Sequence, residues 1–102
     1  MKHKHFKPIK PFVNELLKYN EIRILFEEEN AKTLIAQAVR SLRLKAGMTQ
    51  VELAKKAKTT QAALSRIESG EDQRIPTLEL LSRIAFACKA KLSFSFLSQK
   101  AA

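Results

Sequence analysis

The sequence predicts a mainly α-helical domain of five or six short helices, closed by one β-strand near the C-terminal end. Three observations carry this. Only two glycines and three prolines interrupt 102 residues. From Phe12 to Ala85, apolar side chains recur at three- and four-residue intervals, the period of a helix with one buried face. Over Lys91–Leu97 the period drops to two, with Leu92, Phe94 and Phe96 alternating with Ser93, Ser95 and Leu97.

Taken in order, Met1–Lys10 is a basic arm with four lysines, two histidines and no acid. His3 and His5 lack an accompanying Cys or carboxylate, so a solvated tail accounts for them better than a metal site. The arm could add phosphate contacts on DNA or lie on a protein partner. Pro11 suits a first helical position, and Phe12, Val13, Leu16 and Leu17 follow as one stripe. Lys18-Tyr19-Asn20 is expected to end or kink that helix. Ile22, Leu25 and Phe26 then share a face, beside the only acidic block of the chain, Glu27–Glu29. Such a run repels DNA, so it belongs away from any DNA surface, toward solvent or a basic partner. Leu34, Ile35, Ala38, Val39, Leu42 and Leu44 mark a long helix from Ala31 to Ala46, with Gly47 as its stop. Whether it continues the Glu21 segment is left open.

Met48–Gly70 organises the rest. Thr49 and Thr60 are good N-caps for two short helices, about Gln50–Lys56 and Gln61–Ser69. Val51, Leu53, Ala54, Ala57, Leu64 and Ile67 face inward, and the small Ala54 lets two crossing helices approach. Gln61, Ala62, Ser65 and Arg66 then project outward, the short polar surface a helix needs to enter a major groove. A polar loop follows at Glu71–Ile75. Pro76-Thr77 opens a last helix with Leu78, Leu81, Ile84 and Ala85 toward the core. The strand at Leu92, Phe94 and Phe96 cannot satisfy its own backbone. It is expected to pair with the same strand of a second copy across a two-fold axis; the alternatives are the N-terminal arm or an extended tail on the core. Three parts result: 1–30 basic arm and amphipathic helical segment, 31–88 helix-turn-helix DNA-binding domain, 89–102 strand and tail.

Composition narrows the function. A 45% hydrophobic share supports one core. A formal charge of +9 points to a polyanion, nucleic acid above all, although excess lysine can also serve solubility alone. Cys88 is the only cysteine, which excludes an intramolecular disulfide and fits a reducing cytoplasm; its apolar helical run makes it a small packing residue. There is no run of 18 apolar residues and no secretion signal, so a cytoplasmic location is expected, without membrane. No carboxylate pair, Cys–His constellation or phosphate-cradling glycine loop is present, so neither an enzyme nor a cofactor or metal protein is expected.

The run Leu42–Gly70 resembles the helix-turn-helix of the phage repressor and Cro family, also called the XRE family. Arg43, Gly47, Thr49-Gln50, Leu53-Ala54, Thr60-Gln61, Ser65-Arg66-Ile67-Glu68 and Gly70 fall at that family's spacing, as does the Pro76-Thr77-Leu78 helix start. The resemblance implies that Gln61, Ala62, Ser65 and Arg66 lie where bases are read: Gln61 on adenine, Ala62 on a thymine methyl, Arg66 on guanine or phosphate. It implies that Gln50 grips a phosphate and braces Gln61. Thr49, Thr60, Ser69 and Arg74 would add DNA-backbone contacts, and Arg43 and Glu68 would form an internal ion pair. Where several relatives carry basic residues after the recognition helix, this chain has Glu71 and Asp72.

The layout outside that run also carries a resemblance. A helical segment ending in Phe26-Glu27-Glu28-Glu29-Asn30-Ala31-Lys32, then the domain, then Lys89-Ala90-Lys91-Leu92-Ser93-Phe94-Ser95-Phe96, is similar to HigA-type and, less closely, HipB-type antitoxins of type II toxin–antitoxin operons. That implies a homodimer that represses its own operon from a palindromic operator and also binds a toxin. A stand-alone transcription regulator without a toxin is the alternative.

Overall fold

The computed structural model describes residues 10–98, which form four α-helices: α1 (Lys10–Lys45), α2 (Gln50–Lys56), α3 (Gln61–Ser69) and α4 (Leu78–Ala87). The residues of the arm before Lys10, with His3 and His5, and the Gln99–Ala102 tail lie outside the described residues, as do the side chains of Phe12, Val13, Leu16 and Leu17. Four helices replace the five or six expected. The difference lies in α1, where three anticipated segments run together over 36 residues. Between Pro11 and Gly47 there is no proline or glycine, so nothing interrupts the hydrogen-bond ladder at Lys18-Tyr19-Asn20 or before Ala31. At 1.5 Å per residue such a helix is about 54 Å long, which accounts for the 60 Å long dimension of a molecule only 27 by 19 Å across. The boundary placed at residue 30 falls inside this helix.

The C-terminal part of α1 packs on α3, α3 on α2, and α2 on α4. Val39, Leu53, Ala54, Ala57, Leu64, Ile67 and Ile84 form the core, with Ile35, Leu42, Leu81 and Cys88 packed at its edge. Leu53, Leu64 and Ile84 are the largest side chains fully enclosed. Several residues expected inside lie outside: Val51, Leu34, Leu44 and Leu78 are each more than half exposed. Val51 is about 110° around α2 from the centre of Leu53, Ala54 and Ala57, too far to share the buried side of a two-turn helix. Ala36, not anticipated, is buried beside Gly70 at the end of α3, where any side chain on the glycine would come into contact with the Ala36 methyl group.

Every helix ends the same way. Met48 N–H donates to Arg43 O, Thr59 to Ala54, Glu71 to Arg66 and Ala90 to Ala85, at 2.8–3.2 Å. In each case the preceding residue is left-handed: Gly47, Lys58, Gly70 and Lys89 have φ of 71°, 57°, 73° and 59°. This six-residue closure satisfies carbonyls that would otherwise lack partners. Two of the four positions are lysines, where the left-handed conformation costs about 1 kcal/mol. The turn between α2 and α3 therefore holds Lys58 against its local preference, and the buried contacts of both helices maintain it.

Beyond α4, no strand forms among the described residues of the single chain. Leu92 is half-buried beside Ile35, Leu42 and Leu81, where it lines a groove of about 340 Å³. Phe94 and Phe96 meet edge to face at 6.2 Å and are 68% and 93% exposed. An isolated segment has no partner for a ladder, so the alternation of Leu92, Phe94 and Phe96 alone does not make a strand.

Candidate nucleic-acid interface

The outer face of α3 is built from its buried one. Leu64, Ile67 and Glu68 point inward, which at helical spacing leaves Gln61, Ala62, Ser65 and Arg66 exposed along the opposite side. Thr60 fixes where the helix starts: its hydroxyl oxygen accepts from Ala63 N–H at 3.0 Å. Thr49 does the same for α2, accepting from Glu52 N–H at 3.1 Å, while the Glu52 carboxylate accepts from Thr49 N–H at 2.8 Å. The Thr49 backbone N–H first, and the Thr49 hydroxyl second, hold the Glu52 carboxyl below its ordinary pKa by hydrogen bonding to it. The Thr60 hydroxyl takes part in its cap through oxygen and keeps a hydrogen to donate, which suits contact with a phosphate oxygen.

Behind this face runs a continuous polar chain across three helices. Arg43 on α1 donates from Nε to Glu68 Oε2 at 2.7 Å and from a terminal nitrogen to Glu68 Oε1 at 2.9 Å. Its other terminal nitrogen donates to Met48 O at 2.9 Å, across the turn that closes α1. Glu68 Oε1 also accepts from Gln50 Nε2 at 3.2 Å, and Gln50 Oε1 accepts from Gln61 Nε2 at 3.3 Å. The side chains of Arg43 and Glu68 are only 12% and 4% exposed. Burial pushes the Glu68 carboxyl up, but the hydrogen bonds from Arg43 and Gln50 outweigh it and leave the group below the usual carboxylate value. The same hydrogen bond to Glu68 raises Arg43. Both stay ionised, and the fork-shaped pair fixes where α3 lies against α1.

The chain of bonds ends at the position of interest. Gln61 has committed one N–H to Gln50 and keeps its other N–H and its carbonyl oxygen toward solvent, one donor and one acceptor side by side. That is what the adenine edge offers in complement. Arg66 is exposed on the same face. Ser69 is less available: its hydroxyl donates to Arg66 O at 3.1 Å and accepts from Glu71 N–H at 3.3 Å. Arg74 sits exposed in the loop before α4, its N–H donating to Asp72 at 3.4 Å.

Two residues of this region were not singled out from sequence. Arg40, one turn before Arg43 on α1, lines a shallow polar depression of about 210 Å³ with Arg43, Gln50, Ser65, Glu68 and Ser69. Its three-residue spacing from Arg43 was the available signal. Arg83 on α4 donates from Nε to Ala57 O at 2.8 Å, closing the end of α2 where carbonyls collect partial negative charge. Nothing in the local sequence marks that contact. Among the described residues, no group of three or more His, Cys, Asp or Glu comes together in a way that could hold a metal ion, and no helix is long and apolar enough to cross a membrane.

A family profile described as helix-turn-helix matches residues 39–94, just over half of the chain. No curated protein and no solved structure matches it.

Proposed function

This chain belongs to the helix-turn-helix family of the XRE/Cro type, whose members are DNA-binding transcription regulators, and from that premise we propose that it is a sequence-specific repressor acting from the cytoplasm as a homodimer. The observation that carries the reading is the polar chain Arg43–Glu68–Gln50–Gln61. It orders a base-reading side chain before DNA arrives, so less conformational entropy is lost on binding. In this reading α3 enters the major groove with Gln61, Ala62, Ser65 and Arg66 toward base edges. Thr49, Gln50, Thr60, Ser69 and Arg74 contact the sugar–phosphate backbone. The C-terminal segments of two copies pair through Leu92, Phe94 and Phe96. Pairing supplies the missing ladder partners and places two recognition helices about one helical turn apart on a palindromic operator.

Arg66→Ala tests the assignment. On duplex DNA from upstream of the protein's own gene it is expected to weaken binding by about 1–3 kcal/mol, with little change on random duplex of equal length. Equal losses on both, in a titration at fixed salt, remove Arg66 from base reading.

The finer role is that of the antitoxin of a type II operon, a protein that binds its toxin and represses its own promoter. The long α1 supports it. Residues 21–30 are exposed along their whole length, so that stretch adds nothing to the DNA-binding core and is available for another task.

A further inference from the structure

The projecting half of α1 carries a surface that the domain does not use. Tyr19, Ile22, Leu25 and Phe26 are between 58% and 68% exposed. A lone exposed leucine is ordinary, but five large apolar side chains within eight residues of one helix, Ile24 on the opposite side included, are not. Tyr19, Ile22 and Phe26 fall at i, i+3 and i+7, the spacing by which a helix anchors itself in a groove of another protein. Leu25 stands beside them. Around this stripe, residues 21–29 hold four glutamates against one arginine, in a chain whose formal charge is +9.

We infer that this face is the docking site for the toxin, and that the toxin meets it with an apolar groove rimmed by Lys and Arg. The inference rests on the antitoxin reading above and adds to it the segment and the chemistry. Charge complementarity selects the occupant. The acidic stretch repels a phosphate backbone, so DNA does not cover it. Two copies laid together through this stretch would bring like charge against like. A basic protein gains on both counts, since Ile22 and Phe26 fill pockets, Glu29 on the same side of the helix pairs with the rim, and Glu27 and Glu28 around the helix add the long-range attraction that speeds association. The helix needs no ordering of its backbone on binding, because α1 is continuous through the stretch and anchored in the core at Val39.

The test co-expresses the chain with the product of the second reading frame of its operon and measures the affinity of the purified pair. Ile22→Asp with Phe26→Asp is expected to weaken the complex at least a hundredfold. Glu27→Lys, Glu28→Lys and Glu29→Lys together touch no core residue; they are expected to cost at least tenfold in low salt, with the gap narrowing as salt is added. Both variants keep the wild-type preference for promoter over random DNA, since α2 and α3 are untouched, and the aspartate pair also keeps wild-type operator affinity. An operon product that binds the wild type and both variants equally overturns the docking site and leaves the antitoxin reading standing. A product that does not bind the wild-type chain removes that reading, and the docking site with it.

Discussion

Glu68→Gln is expected to destabilise the domain by about 3 kcal/mol, the cost of removing one member of an enclosed ion pair. The glutamate accepts three hydrogen bonds, two from Arg43 and one from Gln50, with 4% of its side chain exposed. A glutamine amide of the same shape turns one acceptor into a donor aimed at a guanidinium or an amide. It also leaves the Arg43 cation enclosed without a counter-charge. Urea denaturation at neutral pH reads the loss directly. The pH dependence gives a second, independent signature. Because the carboxyl is held below its unfolded value, its contribution is fully present above that unfolded value, about 4.3. It is lost as pH falls through the lower folded value. Wild type and variant should therefore converge in acid, with the wild type losing the more. A loss under 1 kcal/mol at neutral pH means the pair does not hold α3 against α1. The change should also reach DNA recognition, because Gln50 loses the acceptor that positions it to brace Gln61.

Leu64→Ala is expected to cost about 3 kcal/mol, again by urea denaturation. Leu64 is fully enclosed and lies on the same helix as the face assigned to bases, so the cavity opens directly beneath that face. Val51→Ala, by contrast, should change stability by no more than about 0.5 kcal/mol, since Val51 is 53% exposed on the outer side of α2. A comparable loss at both positions would mean that α2 is turned differently on its axis from the arrangement described.

Leu64 and Val51 show what a sequence of this kind can and cannot say. The starts of α2 and α3 and the stop of α3 are legible, because Thr49 and Thr60 offer hydroxyls that a helix start requires and Gly70 offers the left-handed stop. The length of α1 was not, because a weakly amphipathic stretch without a breaker gives no sign that three helical runs are one. Periodicity announced buried faces in α1, α2 and α4, yet Leu34, Leu44, Val51 and Leu78 are exposed. An apolar stripe names a face without naming the neighbour that covers it. The ion pair Arg43–Glu68, implied by family spacing, stands in the structure with both hydrogen bonds. The extension through Gln50 to Gln61 depends on side-chain directions across three helices. Lys58 and Lys89 in the left-handed conformation were illegible too, since lysine ordinarily avoids it.

In the proposed function two copies of α3, each pre-positioned by the Arg43–Glu68–Gln50–Gln61 chain, read a two-fold symmetric DNA site. Selection of bound duplexes from a random library by the full chain tests it most directly. The expected result is enrichment of a palindrome whose half-sites are about one helical turn apart, with the enriched bases changing when Gln61 and Arg66 are replaced together. Enrichment of a single asymmetric site, or a palindrome unchanged by those replacements, would contradict it.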